Sequence, residues 1–133
     1  MKDENNLILN KTFAFAEQIV YLYVKFKEEK EFVLSKQFLR SGTSIGANVE
    51  EAIAAQSRKD FISKMTIANK EARETRYWFK LLDKTQIVKM DFSILLNEVT
   101  SIINILTKII KTDRKSTRLN SSHGGISRMP SSA

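Results

Sequence analysis

Along residues 1–112 the apolar positions return every three or four residues, the spacing that stacks side chains on one face of an α-helix. No stretch alternates apolar and polar positions between turn residues, as a half-buried strand would. The stretch holds no proline and only two glycines, Gly42 and Gly46. The spacing predicts four helices. The first covers residues 9–27 and carries two apolar stripes: Phe13, Ala16, Val20 and Tyr23, and beside it Phe15, Ile19, Leu22 and Phe26. The second covers residues 32–55, with Leu34, Phe38, Ser41, Ile45, Asn48, Ala52 and Ala55 on one face. The third follows Ser57, an N-cap residue with Asp60 three positions on. Its stripe is Phe61, Met65, Ala68, Ala72, Thr75, Phe79 and Leu82. The fourth starts at Asp91 as N-cap, with Met90 and Leu95 placed for a hydrophobic staple. Phe92, Leu96, Val99, Ile103, Leu106 and Ile110 form its first stripe, and Leu95, Ile102, Ile105 and Ile109 its second.

Four long helices with short polar connections predict an all-α fold, an antiparallel up-down-up-down four-helix bundle. One stripe per helix suffices for a monomeric bundle. The second stripes on helices 1 and 4 therefore predict self-association.

Composition changes after Thr112. Residues 113–133 hold the only proline, the only histidine and two of the four glycines. Residues 113–123 and 127–133 resemble the translation of the two arms of a common sequencing-library adapter, with Gly124, Gly125 and Ile126 where a sample index would fall. The expected organisation is thus one bundle domain over residues 1–112 and a disordered, adapter-encoded tail over residues 113–133, set aside from fold reasoning. The whole chain has 22 basic and 15 acidic residues. Arg114, Lys115, Arg118, Arg128 and Asp113 lie in the tail, which leaves 18 basic and 14 acidic residues, a net +4, in the bundle.

Several function classes have no support. There is no cysteine for a disulfide or a thiolate metal site. No apolar run reads as a membrane span, and no signal-peptide pattern opens the chain, so the expected location is cytoplasmic. Phosphate-binding loops, dinucleotide fingerprints and nucleophile motifs do not occur. The carboxylates Glu50, Glu51, Glu71 and Glu74 lack the histidines that a di-iron bundle needs, so neither a metal nor another cofactor is expected. Pairing of these carboxylates with Arg40 or Lys70 is the expected use. The protein reads as nonenzymatic.

Residues 39–52, LRSGTSIGANVEEA, together with Ser57, Asp60, Phe61, Ile62, Ala68, Lys70, Glu71, Ala72 and Glu74, carry a family resemblance. The chain resembles the four-helix bundle proteins encoded by intervening sequences within bacterial 23S ribosomal RNA genes. The resemblance spans most of residues 7–112. It implies a bundle that assembles as a ring-like pentamer, without established enzymatic activity. It also implies kinship with accessory proteins of diversity-generating retroelements, which associate with a reverse transcriptase and RNA.

Three clusters remain as candidate sites. Arg40, Ser44, Asn48 and Glu51 follow one another at helical spacing and read as a buried polar network that fixes helix register, Asn48 above all. Gly42 and Gly46 beside them suit a close backbone approach. On helix 3, Lys59, Lys70, Arg73, Lys80 and Lys84 share a face opposite the core at about 100° per residue, with Thr66, Asn69 and Tyr77 among them. Cations interleaved with an aromatic suit phosphate contact plus base stacking. Ile67, Trp78 and Leu81 lie on a further face of helix 3 and are the expected oligomer contact, Trp78 as anchor. Three functions stay open: an oligomeric RNA-binding accessory protein, an oligomeric protein-interaction scaffold, and an accessory subunit of a retroelement reverse transcriptase.

Overall fold

Four helices, α1 (Lys2–Glu28), α2 (Leu34–Ile53), α3 (Arg58–Thr85) and α4 (Ser93–Gly124), build the computed structural model, which describes the backbone of residues 2–124 and the side chains of residues 3–116. No strand occurs among the described residues. Each helix packs on its neighbours in sequence, and α4 returns to α1, closing an antiparallel four-helix bundle.

Helix boundaries follow local chemistry. α1 starts seven residues before the expected Leu9. Asp3 and Glu4 lie in its first turn, where negative charge suits the helix dipole, and Ile8 is fully buried. At its end Lys30 takes a left-handed conformation (φ 63°), Lys30 N–H donates to Lys27 O, and Glu31 N–H donates to Phe26 O. That pair of bonds is a Schellman ending, here with lysine where glycine is usual. Glu31 then caps the next helix. Its carboxylate accepts the backbone N–H groups of Val33, Leu34 and Ser35 at 3.2, 3.0 and 2.8 Å. α2 is consequently shorter than expected: Phe32 and Val33 precede it, and Ala54 and Ala55 follow it. Ser57 caps α3 as its sequence suggests, accepting Asp60 N–H at 3.0 Å. Gln86 ends α3 in the left-handed region, and its side chain ties Asp83 O and both backbone groups of Met90. Asp91 accepts Ser93 N–H at 2.9 Å at the start of α4.

The core is the expected one on α3, where Met65, Ala68, Ala72, Thr75, Phe79 and Leu82 are all buried. On α1 the Phe15, Ile19, Leu22 and Phe26 stripe faces inward, while Phe13 and Val20 are exposed. On α2 the inward position is Val49, not Asn48. Both apolar stripes of α4 are used inside the bundle: Leu95, Ile102 and Ile109 are buried along with Val99, Ile103, Leu106 and Ile110. That corrects the expectation that the second α4 stripe serves self-association. α4 is wedged between α1 and α3, so one wide face meets two neighbours. By length and composition alone, Ser93–Ser116 is long and apolar enough to cross a membrane, with mean hydropathy 1.4. Here that face packs within the bundle.

Five phenylalanines knot one end. Phe26 and Phe38 meet edge to face at 5.1 Å, Phe38 and Phe79 lie 5.5 Å apart, and Phe92 closes on Phe79 and Phe26 at 6.1 and 6.4 Å. Phe15 reaches Phe79 across the bundle at 6.4 Å. Such pairs add about 0.5–1.5 kcal/mol each beyond their burial.

The segment after Thr112 departs from its expectation. α4 continues through Gly124, and Asp113 pairs with Arg58 at 3.3 Å, so residues 113–124 are helical rather than irregular. Extending an existing helix avoids the cost of nucleation, and no glycine or proline intervenes before Gly124. The rest of the expected tail, residues 125–133, lies outside the described residues.

Candidate nucleic-acid interface

The outward face of α3 is cationic because its inward face is occupied by small and apolar residues at every third or fourth position. Lys59, Lys70, Arg73, Lys80 and Lys84 are all exposed, and Tyr77 among them is 58% exposed. The structure therefore brings the expected residues together on one solvent-facing strip. Lys70, Arg73, Lys80 and Lys84 form no ion pair with any described residue. At a rise of about 1.5 Å per residue, Lys70 and Lys84 stand roughly 21 Å apart along the helix. Two residues expected among them are placed differently. Asn69 turns toward α4 and donates to Thr107 at 3.1 Å, and Thr66 is half-buried, its hydroxyl bound to Ile62 O.

Tyr77 does not stand alone. Its ring meets Trp78 edge to face at 5.2 Å, with an interplanar angle of 72°. The Trp78 indole N–H donates to Glu74 at 3.0 Å. Arg40 on α2 grips Glu74 and, at 3.1 Å, Glu71. The hydrogen bond from Arg40 holds the Glu74 carboxyl below its ordinary range; burial opposes this and the Trp78 bond assists it. Arg40 itself is pushed up, chiefly by its bond to Glu74. This chain of contacts runs from α2 through two carboxylates to the aromatic pair.

The expected buried network on α2 takes another form. Ser44 and Asn48 are half-buried and bond their own helix, Ser44 to Arg40 O at 2.6 Å and Asn48 to Ser44 O at 2.9 Å. Arg40 and Glu51 instead reach α3 from exposed positions, Glu51 pairing with Lys64 at 3.1 Å. The buried polar link is Ser41 with Thr75 at 2.8 Å, a pair that spacing placed in facing core stripes without joining them. Gly42 and Gly46 do sit at a close approach. A Cβ on Gly46 would lie 3.3 Å from the Thr12 carbonyl oxygen on α1.

The proposed oligomer residues on α3 are mostly covered by their own subunit. Trp78 packs against the core, Leu81 is half-buried, and Ile67 is 37% exposed. The larger bare apolar surface is on α1: Phe13 is 72% and Tyr21 68% exposed, with Val20 and Val24 beside them. A groove of about 270 Å³ runs from Phe13 and Ala16 to Thr43, Gly46 and Ala47 of α2.

The family of 23S rRNA-intervening sequence proteins matches residues 4–108. The chain belongs to that family. A crystal structure of a protein of unknown function from the S23 ribosomal protein family, from Bacteroides thetaiotaomicron, is similar at 52% identity. The match covers 81% of this chain and 98% of that one, with a TM-score of 0.76. No curated protein matches the chain. Among its described residues no group of three or more histidine, cysteine or acidic side chains is arranged to hold a metal ion.

Proposed function

We propose that the chain is a nonenzymatic, oligomeric RNA-binding accessory protein of the cytoplasm, with the outward face of α3 as its RNA contact. The observation that carries this reading is the strip of Lys70, Arg73, Lys80 and Lys84 around an exposed Tyr77, cations that form no ion pair with any described residue. Unpaired cations on one face attract a polyanion and release its counterions on binding. The test is a filter-binding titration of structured RNA at several salt concentrations. Affinity should fall steeply with salt, and Arg73→Glu with Lys80→Glu should weaken it further. Micromolar or weaker binding that ignores salt would sink the reading.

A second reading rests on the bare apolar stripe of α1. It makes the protein an oligomeric interaction scaffold whose basic face is solvated. An accessory role to a retroelement reverse transcriptase combines the two, since it needs both a protein contact and RNA. An adjacent reverse transcriptase gene would favour that role, and a position inside a ribosomal RNA gene would favour the family's namesake setting.

A further inference from the structure

We propose that Tyr77 is a base-stacking platform, and that the α3 face takes single-stranded RNA in preference to duplex. This rests on the RNA-binding reading and specifies its ligand. Three observations carry it. First, Tyr77 keeps more than half of its surface in solvent on the cationic face of α3, where a base can reach it. Second, the ring is held: Trp78 meets it edge to face, Glu74 fixes the Trp78 indole, and Arg40 fixes Glu74 from the neighbouring helix. A supported ring loses less freedom when a base settles on it than a loose one would. Third, cations flank the ring along the helix in both directions. Arg73 and Lys80 are about one turn away and Lys70 and Lys84 about two turns away, so a backbone can run past while a base turns in.

The choice of strand state follows from the chemistry. A phosphate track alone would serve duplex and single strand alike. An exposed aromatic ring gains only from a base that is free to unstack, and a duplex keeps its bases inside the stack. Single-strand sites combine these two elements, a cationic track with aromatic rings, and tolerate any base because every base has a π-face. Arg40 is in this account a positioning residue, acting on the ligand only through Glu74 and Trp78.

The experiment is fluorescence anisotropy with the full chain and a labelled mixed-sequence RNA of about 12 nucleotides, within the length that such sites cover. The same RNA annealed to its complement is the second probe. The single strand should bind more tightly. Tyr77→Ala should weaken single-strand binding about 5- to 150-fold, the usual loss for a stacking aromatic. Tyr77→Phe should bind within about twofold of the parent, because stacking needs the ring and not the hydroxyl. With four phosphates neutralised, log K should fall with log salt at a slope near −2.8, and each of Lys70→Gln and Lys84→Gln should reduce that slope by about 0.7. Circular dichroism on each variant confirms that the bundle is folded. Equal or tighter binding of the duplex, or unchanged affinity in Tyr77→Ala, overturns the stacking platform and leaves RNA binding standing. Salt-insensitive or absent binding of both probes overturns both.

Discussion

Ser41 of α2 and Thr75 of α3 share a hydrogen bond of 2.8 Å with both side chains fully buried. Thr75 also bonds Glu71 O at 2.8 Å, so both hydroxyls are satisfied inside an otherwise apolar seam. Leaving one buried hydroxyl without its partner costs about 1–3 kcal/mol, whereas removing both together is close to neutral. Thr75→Val should therefore destabilise the bundle by about 1–3 kcal/mol, and Ser41→Ala with Thr75→Val should recover most of that loss. Urea denaturation of the two single variants and the double variant measures the coupling. Additive losses would show that the pair does not act as a unit.

This pair also marks what the sequence could and could not disclose. The α3 stripe was legible in full because small and large apolar residues recur without competition from Met65 to Leu82. On α2 the chain offers both Asn48 and Val49 after Ile45, three and four positions on. Spacing alone does not choose between them, and the structure buries Val49. α1 offered two stripes of similar apolar character, so which one faces inward depended on its neighbours. Glu31 was invisible as a cap because it lies three residues before Leu34 and reaches forward with a long side chain. The cationic strip of α3 was legible because it lies opposite the core. Asn69 was misplaced because its partner Thr107 belongs to α4, which no local pattern reveals.

Gly42 is set so close to α1 that a Cβ there would come within 2.9 Å of Ile19 Cγ1, a fully buried and branched side chain. Gly42→Ala gains about 1 kcal/mol of helix propensity but overpacks a filled site, which costs about 1–3 kcal/mol. The expected result is a net loss of stability. Ile19→Val removes one methyl group from the crowded side chain. Gly42→Ala should be better tolerated in an Ile19→Val background than in the parent, and thermal unfolding of all four proteins would display it. An equal effect in both backgrounds would mean that Ile19 moves aside freely.

Glu31 links pH to stability. Burial pushes its carboxyl up, but the backbone N–H groups of Leu34, Ser35 and Val33 outweigh burial and hold it below the ordinary glutamate range. A carboxyl depressed in the folded state contributes stability that is fully present above its unfolded pKa and is lost as pH falls through the folded one. Neutralising it by Glu31→Gln should cost about 0.5–2 kcal/mol at neutral pH, as loss of a good cap does. The variant should also lose less stability than the parent on acidification below the ordinary glutamate range. Parallel acid profiles would show that the Glu31 charge contributes nothing to the cap.

Phe13 and Tyr21 are among the most exposed large apolar residues, and Val20 and Val24 extend the patch along α1. Burying a large apolar side chain contributes about 1.5–3 kcal/mol, and association costs about 4–15 kcal/mol in lost freedom. Four such residues from each subunit can meet that cost, whereas the α3 group cannot: Trp78 is already packed against the core and bonded to Glu74. α4 has no spare stripe, since its second one is buried. The proposed self-assembly therefore has α1 at the contact. Phe13→Glu with Val20→Glu should convert the assembly to monomers in light scattering at tens of micromolar, with helicity unchanged. Trp78→Ala should lower stability but leave the assembly mass as it was. A parent protein that is monomeric at that concentration would end the claim. Dissociation by Trp78→Ala with survival of the α1 variant would move the interface to α3.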